Sequence, residues 1–156
     1  MKLSLQKISL AFTAGCLGGL ANTVCLWLFG VIGLTAALGV QLSPTFSPPW
    51  LYQRLVWGGI WGWLFLIPAK RLRLPMRALL FSLGPSCVAL FVVLPFQAHK
   101  GVLGLQLGYL TPAFVLFYNA VWGLVTGWWL LLTEHQGSDE IQFQPMFGYQ
   151  DQRPYI

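Results

Sequence analysis

The sequence predicts an all-α integral membrane protein with four transmembrane helices, arranged as a tandem two-helix repeat with short interfacial segments on the outer side. Three observations carry that expectation. The chain is 56% hydrophobic and 8% charged, with a mean hydropathy of +0.66, whereas a soluble domain carries roughly 25% charged residues. Its apolar residues gather into four long runs. Two Trp-Gly phrases, VWGGIWGW at 56–63 and VWGLVTGW at 121–128, read as one phrase written twice.

The runs are Ile8 to Gly30, Trp50 to Pro68, Met76 to Phe96 and Pro112 to Leu132. A helix needs about 20 residues to cross roughly 30 Å of hydrocarbon, and each run approaches or exceeds that length. None holds an acidic residue; Arg54 and Arg77 are their charges, each near the start of its run. The first run follows MKLSLQK, which has the look of a secretory signal. TAGC at 13–16 is similar to a lipoprotein cleavage site, but Thr13 stands where an aliphatic residue is expected. The run also continues past Cys16, so an uncleaved first helix is the reading.

Charge orients the chain. All four acids, Glu134, Asp139, Glu140 and Asp151, follow the last run, while residues 1–133 hold eight of the nine Lys and Arg. Positive residues favour the cytoplasmic side of a membrane. Lys2 and Lys7 precede the first run, and KRLRLPMR at 70–77 lies between the second and third. The 31–49 loop carries no charge and the 97–109 loop carries Lys100 alone. Both termini are therefore expected in the cytoplasm, and the membrane is expected to be the plasma (inner) membrane of a bacterium. The net charge of +5 follows from these topology determinants and does not indicate nucleic acid. Lys70, Arg71, Arg73 and Arg77 form a basic stretch that could also meet anionic lipid. Residues 1–133 make the transmembrane domain. Residues 134–156 read as a polar cytoplasmic tail with aromatic anchors at Phe143, Phe147, Tyr149 and Tyr155, unable to bury enough surface to fold alone.

The repeat units span about 8–68 and 76–132. FTAG at 12–15 returns as FSLG at 81–84, and Leu38-Gly39 as Leu107-Gly108, both 69 residues on. LSPTF at 42–46 returns as LTPAF 68 residues on, and the Trp-Gly phrase returns 65 residues on. Two-helix units enter from the same side, which makes the repeat parallel about an axis along the membrane normal. Between the helices of each unit lies a segment too apolar for an ordinary loop. Each is expected to form a short interfacial or re-entrant piece. Ser43 and Thr111 precede Pro44 and Pro112 and read as helix N-caps.

The glycines explain the Trp-Gly phrases. Gly58 and Gly62 are four apart, as are Gly123 and Gly127, and Gly15 and Gly19 in the first run. Helices in lipid associate by close packing, which small residues at i and i+4 permit. Ser82 and Ser86 give the third helix the same spacing. The expectation is a compact four-helix bundle, with tryptophans flanking the notches.

Chemistry is read mainly by exclusion. Proton relays and cation filters in membranes commonly use carboxylates, and residues 1–133 have none. His99 and His135, the two histidines, fall at opposite faces. No HExxH, GxSxG or Ser-Lys pattern is present, and the three cysteines lack metal-type spacing. No catalytic residue, metal or cofactor is expected. Asn22, Asn119 and Arg54 are the candidate polar contacts, between helices or to a ligand, and Tyr118, Thr126 and Thr23 could join them. The expected function is that of a non-catalytic accessory, scaffold or assembly subunit of a larger membrane complex, partnered through helix grooves and the 134–156 tail. The alternative is a small oligomeric transporter or channel for a neutral solute or lipid. No motif ties the chain to a named family.

Overall fold

The computed structural model describes residues 4–69 and 72–142, with 134–142 described by backbone alone. The described residues form helices and connecting turns, with no strand among them. Three stretches are long and apolar enough to cross a membrane: Leu5–Val31, Leu74–Gln97 and Thr111–Thr133.

Helix α1 (Leu5–Val31) is the central element. Ser4 caps it, its hydroxyl oxygen accepting from the Lys7 amide at 3.4 Å. Its buried residues, among them Ala11, Gly15, Gly18, Asn22 and Leu26, follow helical spacing. Leu20, Val24 and Leu28 form an exposed apolar row at four-residue steps. Small residues on two flanks let α1 receive one neighbour on each side.

After a single turn, α2 (Leu34–Ala37), the chain runs without helix to Pro48. Helix α3 (Pro48–Gly62) begins with its two prolines, where missing donors cost least. Ser47, not Ser43, holds the N-cap position, and its side chain makes no capping bond. The chain then tightens into a 3-10 turn, Trp63–Leu66. The second apolar run is thus a 15-residue α-helix with a 3-10 extension.

Helix α4 (Leu74–Val88) continues as a π-helical run over Ala89–Gln97. Pro85 lies inside the first part and Pro95 inside the second. Neither can donate the amide hydrogen that a regular ladder uses, and the ladder widens four residues after Pro85. The chain leaves through His99, at φ 52°, into a 3-10 segment, Val102–Leu107, that contains left-handed Leu103 and Gly104. Helix α5 (Thr111–Gln142) closes the fold. Its buried residues Thr111, Phe114, Tyr118, Trp122 and Thr126 again step by three or four. The α5 backbone stays helical beyond Glu134, so the polar tail begins inside a helix. The aromatic anchors Phe143, Phe147, Tyr149 and Tyr155 lie outside the described residues.

Helix α1 packs against α3 on one side and α5 on the other, and α4 packs against α5. The α1–α3 seam is very close. A Cβ on Gly58 would stand 2.7 Å from the Gly15 carbonyl oxygen and 2.9 Å from the Gly19 Cα. A Cβ on Gly62 would stand 2.9 Å from the Gly15 Cα. The α4–α5 seam uses Gly123 against Ala78 and Ser82. Gly127 faces side chains, those of Phe65 and Leu74, at 3.2–3.3 Å. Gly84, aligned by sequence with Gly15, lies against Leu64 and Trp61. Small residues therefore line both seams, at a register the FTAG/FSLG match does not give.

The connections between the paired helices meet each other. The Gln41 amide donates to the Leu107 carbonyl at 2.8 Å, and a Cβ on Gly108 would reach the Val40 Cα at 3.0 Å. Val40 is buried beneath them with Leu26, Phe114 and Tyr118.

Candidate functional site

The α1–α3 seam determines where the polar residues fall. Gly19 brings α1 so close to α3 that a Cβ there would lie 2.8 Å from the Arg54 carbonyl oxygen. Asn22 is one turn further along α1, and Arg54 one turn before Gly58 on α3. Arg54 Nη1 therefore reaches Asn22 Oδ1, donating at 3.1 Å. Asn22 Nδ2 in turn donates to the Tyr118 carbonyl at 2.9 Å and to Asn119 Oδ1 at 3.4 Å. One chain of hydrogen bonds thus ties α3 to α1 to α5. Asn22 is 7% exposed, and a buried amide needs partners for both ends; here it has them.

Arg54 also lies over the Trp50 ring, its Cζ 4.9 Å from the centroid. No carboxylate occurs in residues 1–133, so no acidic side chain of that stretch offsets the charge. Glu134 is fifteen residues beyond Asn119, about 22 Å along a helix. A guanidinium has five N–H donors, and among the described residues one hydrogen bond from Arg54 is seen. Next to it is a half-open cavity of about 660 Å³. Asn22, Arg54, Asn119 and Gln53 are polar on one wall, and Gln97 is polar on the other. Trp57, Trp61 and the π-helical residues Ala89, Val92 and Val93 form its apolar wall. The cavity exists because α3 and the second half of α4 are not closely packed together.

One turn below, α5 fastens the seam. The Trp122 indole is 3% exposed, and its Nε1 donates to the Gly15 carbonyl at 3.1 Å and the Gly58 carbonyl at 3.3 Å. Both carbonyls are reachable because glycine carries no side chain over them. The sequence predicts tryptophans flanking the glycine notches as packing surface; the donor role of Trp122 is visible only in the fold. Trp57, its counterpart in the repeated phrase, is 53% exposed at the cavity rim.

The structure brings Asn22, Asn119 and Arg54 together and separates the other candidates. Thr23 donates to the Gly19 carbonyl at 2.6 Å and Thr126 to the Trp122 carbonyl at 2.7 Å, bonds within their own helices. Tyr118 contributes its backbone, while its ring stacks on Phe114. Gly15, Gly19 and Gly58 form the floor under the polar chain, Gly62 extends that seam, and Gly123 and Gly127 lie in or beside the α4–α5 seam. Of the basic stretch, Arg73 and Arg77 are among the described residues, and they differ. Arg77 turns inward to donate to the carbonyls of Phe65 and Ile67, between the Phe65 and Phe81 rings. Arg73 is exposed. Lys70 and Arg71 lie outside the described residues. Among the described residues no cluster of His, Cys, Asp or Glu is placed to hold a metal ion.

No protein-family model, curated protein or solved structure matches the chain.

Proposed function

We propose that the chain is a non-catalytic, four-span membrane protein that acts as an accessory or assembly subunit of a larger complex in the plasma membrane. The observation that carries this reading is the outlying position of α4. Of the other long helices it packs closely on α5 alone, and the best spanning window of α4 with its π extension is 17% buried against 39% for α1. A helix so sparsely held presents a broad apolar face to another membrane helix. Leu79, Leu83 and Phe91 lie on it, all exposed and none lining the cavity.

The four-span topology rests on α3. Its fifteen α-helical and four 3-10 residues measure about 30 Å end to end, the thickness of the hydrocarbon layer. With α3 crossing, the N-terminus, the 70–77 stretch and the C-terminus share the cytoplasmic side. Tandem duplication is supported by Gly39 and Gly108, 69 residues apart in sequence, which touch as equivalents beside a two-fold axis do. Against the transporter alternative stands the placement of the polar groups. Asn22, Arg54 and Asn119 gather at one depth, and the Trp122–glycine contacts close the interior next to them.

Photo-crosslinking amino acids at Leu83 and Phe91 in intact membranes test the accessory role. The expected product is a discrete adduct with one other membrane protein at both positions. Adducts with a second copy of this chain alone would overturn it in favour of the oligomeric transporter.

A further inference from the structure

We propose that the cleft between α3 and the π-helical half of α4 is a binding site for an anionic phospholipid, its phosphate held by Arg54 and its acyl chain laid along the π-helical wall.

Charge comes first. Arg54 sits in an apolar helix, and a cation there needs an anion or water. Residues 1–133 contain no carboxylate, so the counter-anion comes from outside the span. Geometry narrows its chemistry. Asn22 engages Nη1 at 3.1 Å and the Trp50 ring lies 4.9 Å from Cζ. The guanidinium is thereby held in place with donors to spare, and a planar fork of this kind suits phosphate oxygens. Asn119 adds an amide at the same wall.

Shape selects a lipid over a free ion. The cavity of about 660 Å³ is far larger than a phosphate needs, and it is half-open. Its far wall includes Ala89, Val92 and Val93, apolar groups that favour hydrocarbon, with Gln97 at the end of the π-helical run. One end of the site is thus cationic and the other oily, the pattern of an amphiphile. Depth agrees. Arg54 is six residues inside the start of α3, about 9 Å along its axis, where a headgroup can reach it. This end of α3 is opposite the 70–77 stretch. The lipid bound here therefore belongs to the other leaflet from any that the basic stretch attracts.

The accessory role and this site stand apart, since the partner face of α4 excludes the cavity-lining residues. The test is native mass spectrometry of the full chain from mixed micelles containing phosphatidylglycerol and phosphatidylcholine in equal amounts. Wild type should retain phosphatidylglycerol over phosphatidylcholine by about tenfold, the effect of one charge-assisted contact. Arg54→Gln should reduce that ratio to near one. Lys7→Gln, an exposed cation near the start of α1, should leave it unchanged. Val92→Trp keeps Arg54 but fills the apolar end, and should lower retention of the lipid. Equal retention of both lipids by wild type would overturn the proposal. So would loss of the preference in Lys7→Gln with its survival in Arg54→Gln, or complete displacement of the lipid by inorganic phosphate, which would make this a free-anion site.

Discussion

The Trp122 indole N–H, from α5, donates to the Gly15 carbonyl on α1 at 3.1 Å while also reaching Gly58 on α3. One side chain thus bridges three helices at the point where two of them touch backbone to backbone. In lipid no water is present to satisfy these groups, so the contact fixes the crossing point. Trp122→Phe removes the donor together with part of the indole's buried volume. It should destabilise the protein by about 1 kcal/mol, read as a lower midpoint in denaturant titration of the detergent-solubilised chain. An unchanged midpoint would show that the indole donor contributes no net stability.

Alanine substitution separates the glycines that touch backbone from those that touch side chains. Gly58→Ala places a methyl 2.7 Å from a carbonyl oxygen that cannot move aside. Overpacking of that kind costs about 1–3 kcal/mol. Gly127→Ala meets the Phe65 ring edge and a Leu74 methyl at 3.2–3.3 Å, which can shift. Thermal unfolding in one detergent should show a clear loss for Gly58→Ala and little for Gly127→Ala. Equal losses would contradict the assigned seams.

Asn22 and Arg54 should be coupled. A double-mutant cycle with Asn22→Ala and Arg54→Gln isolates their shared term. Hydrogen bonds between membrane helices average about 0.6 kcal/mol, and a charged donor places this pair at or above that value. Strict additivity of the two single changes would mean that the 3.1 Å contact carries no net energy.

Much of this architecture was legible in the residues. Four apolar runs correspond to the helices α1, α3, α4 with its π extension, and α5, three of them long and apolar enough to cross a membrane, where a backbone has no alternative to internal hydrogen bonding. The convergence of Asn22, Arg54 and Asn119 has one trace in the sequence: Arg54 and Asn119 each stand two residues before a Val-Trp-Gly phrase. Other features leave no trace in composition. Ser43-Pro44 and Ser47-Pro48 are equivalent as start signals; the later one begins α3 because residues 38–47 are drawn across the bundle, with Gln41 paired to Leu107. The π-helical run depends on where Pro85 and Pro95 fall within one helix, which periodicity does not encode. The helical backbone from Glu134 to Gln142 runs through Gly137 and Ser138, residues that read as turn formers, so its continuation is not legible from polarity. Trp122 as a donor depends on which glycine carbonyls lie beneath it, a matter of tertiary packing.

The central claim is that α3 crosses the bilayer and carries Arg54 into it. Single cysteines at Ser4, Gln41, Arg73 and Lys100, in a background with Cys16, Cys25 and Cys87 replaced by alanine, can be tested with a membrane-impermeant thiol reagent on intact cells. Gln41 and Lys100 should label from outside, and Ser4 and Arg73 only after the membrane is opened. Labelling of Arg73 alongside Gln41 in intact cells, with Lys100 protected, would place α3 on one side of the membrane and remove the site from the bilayer.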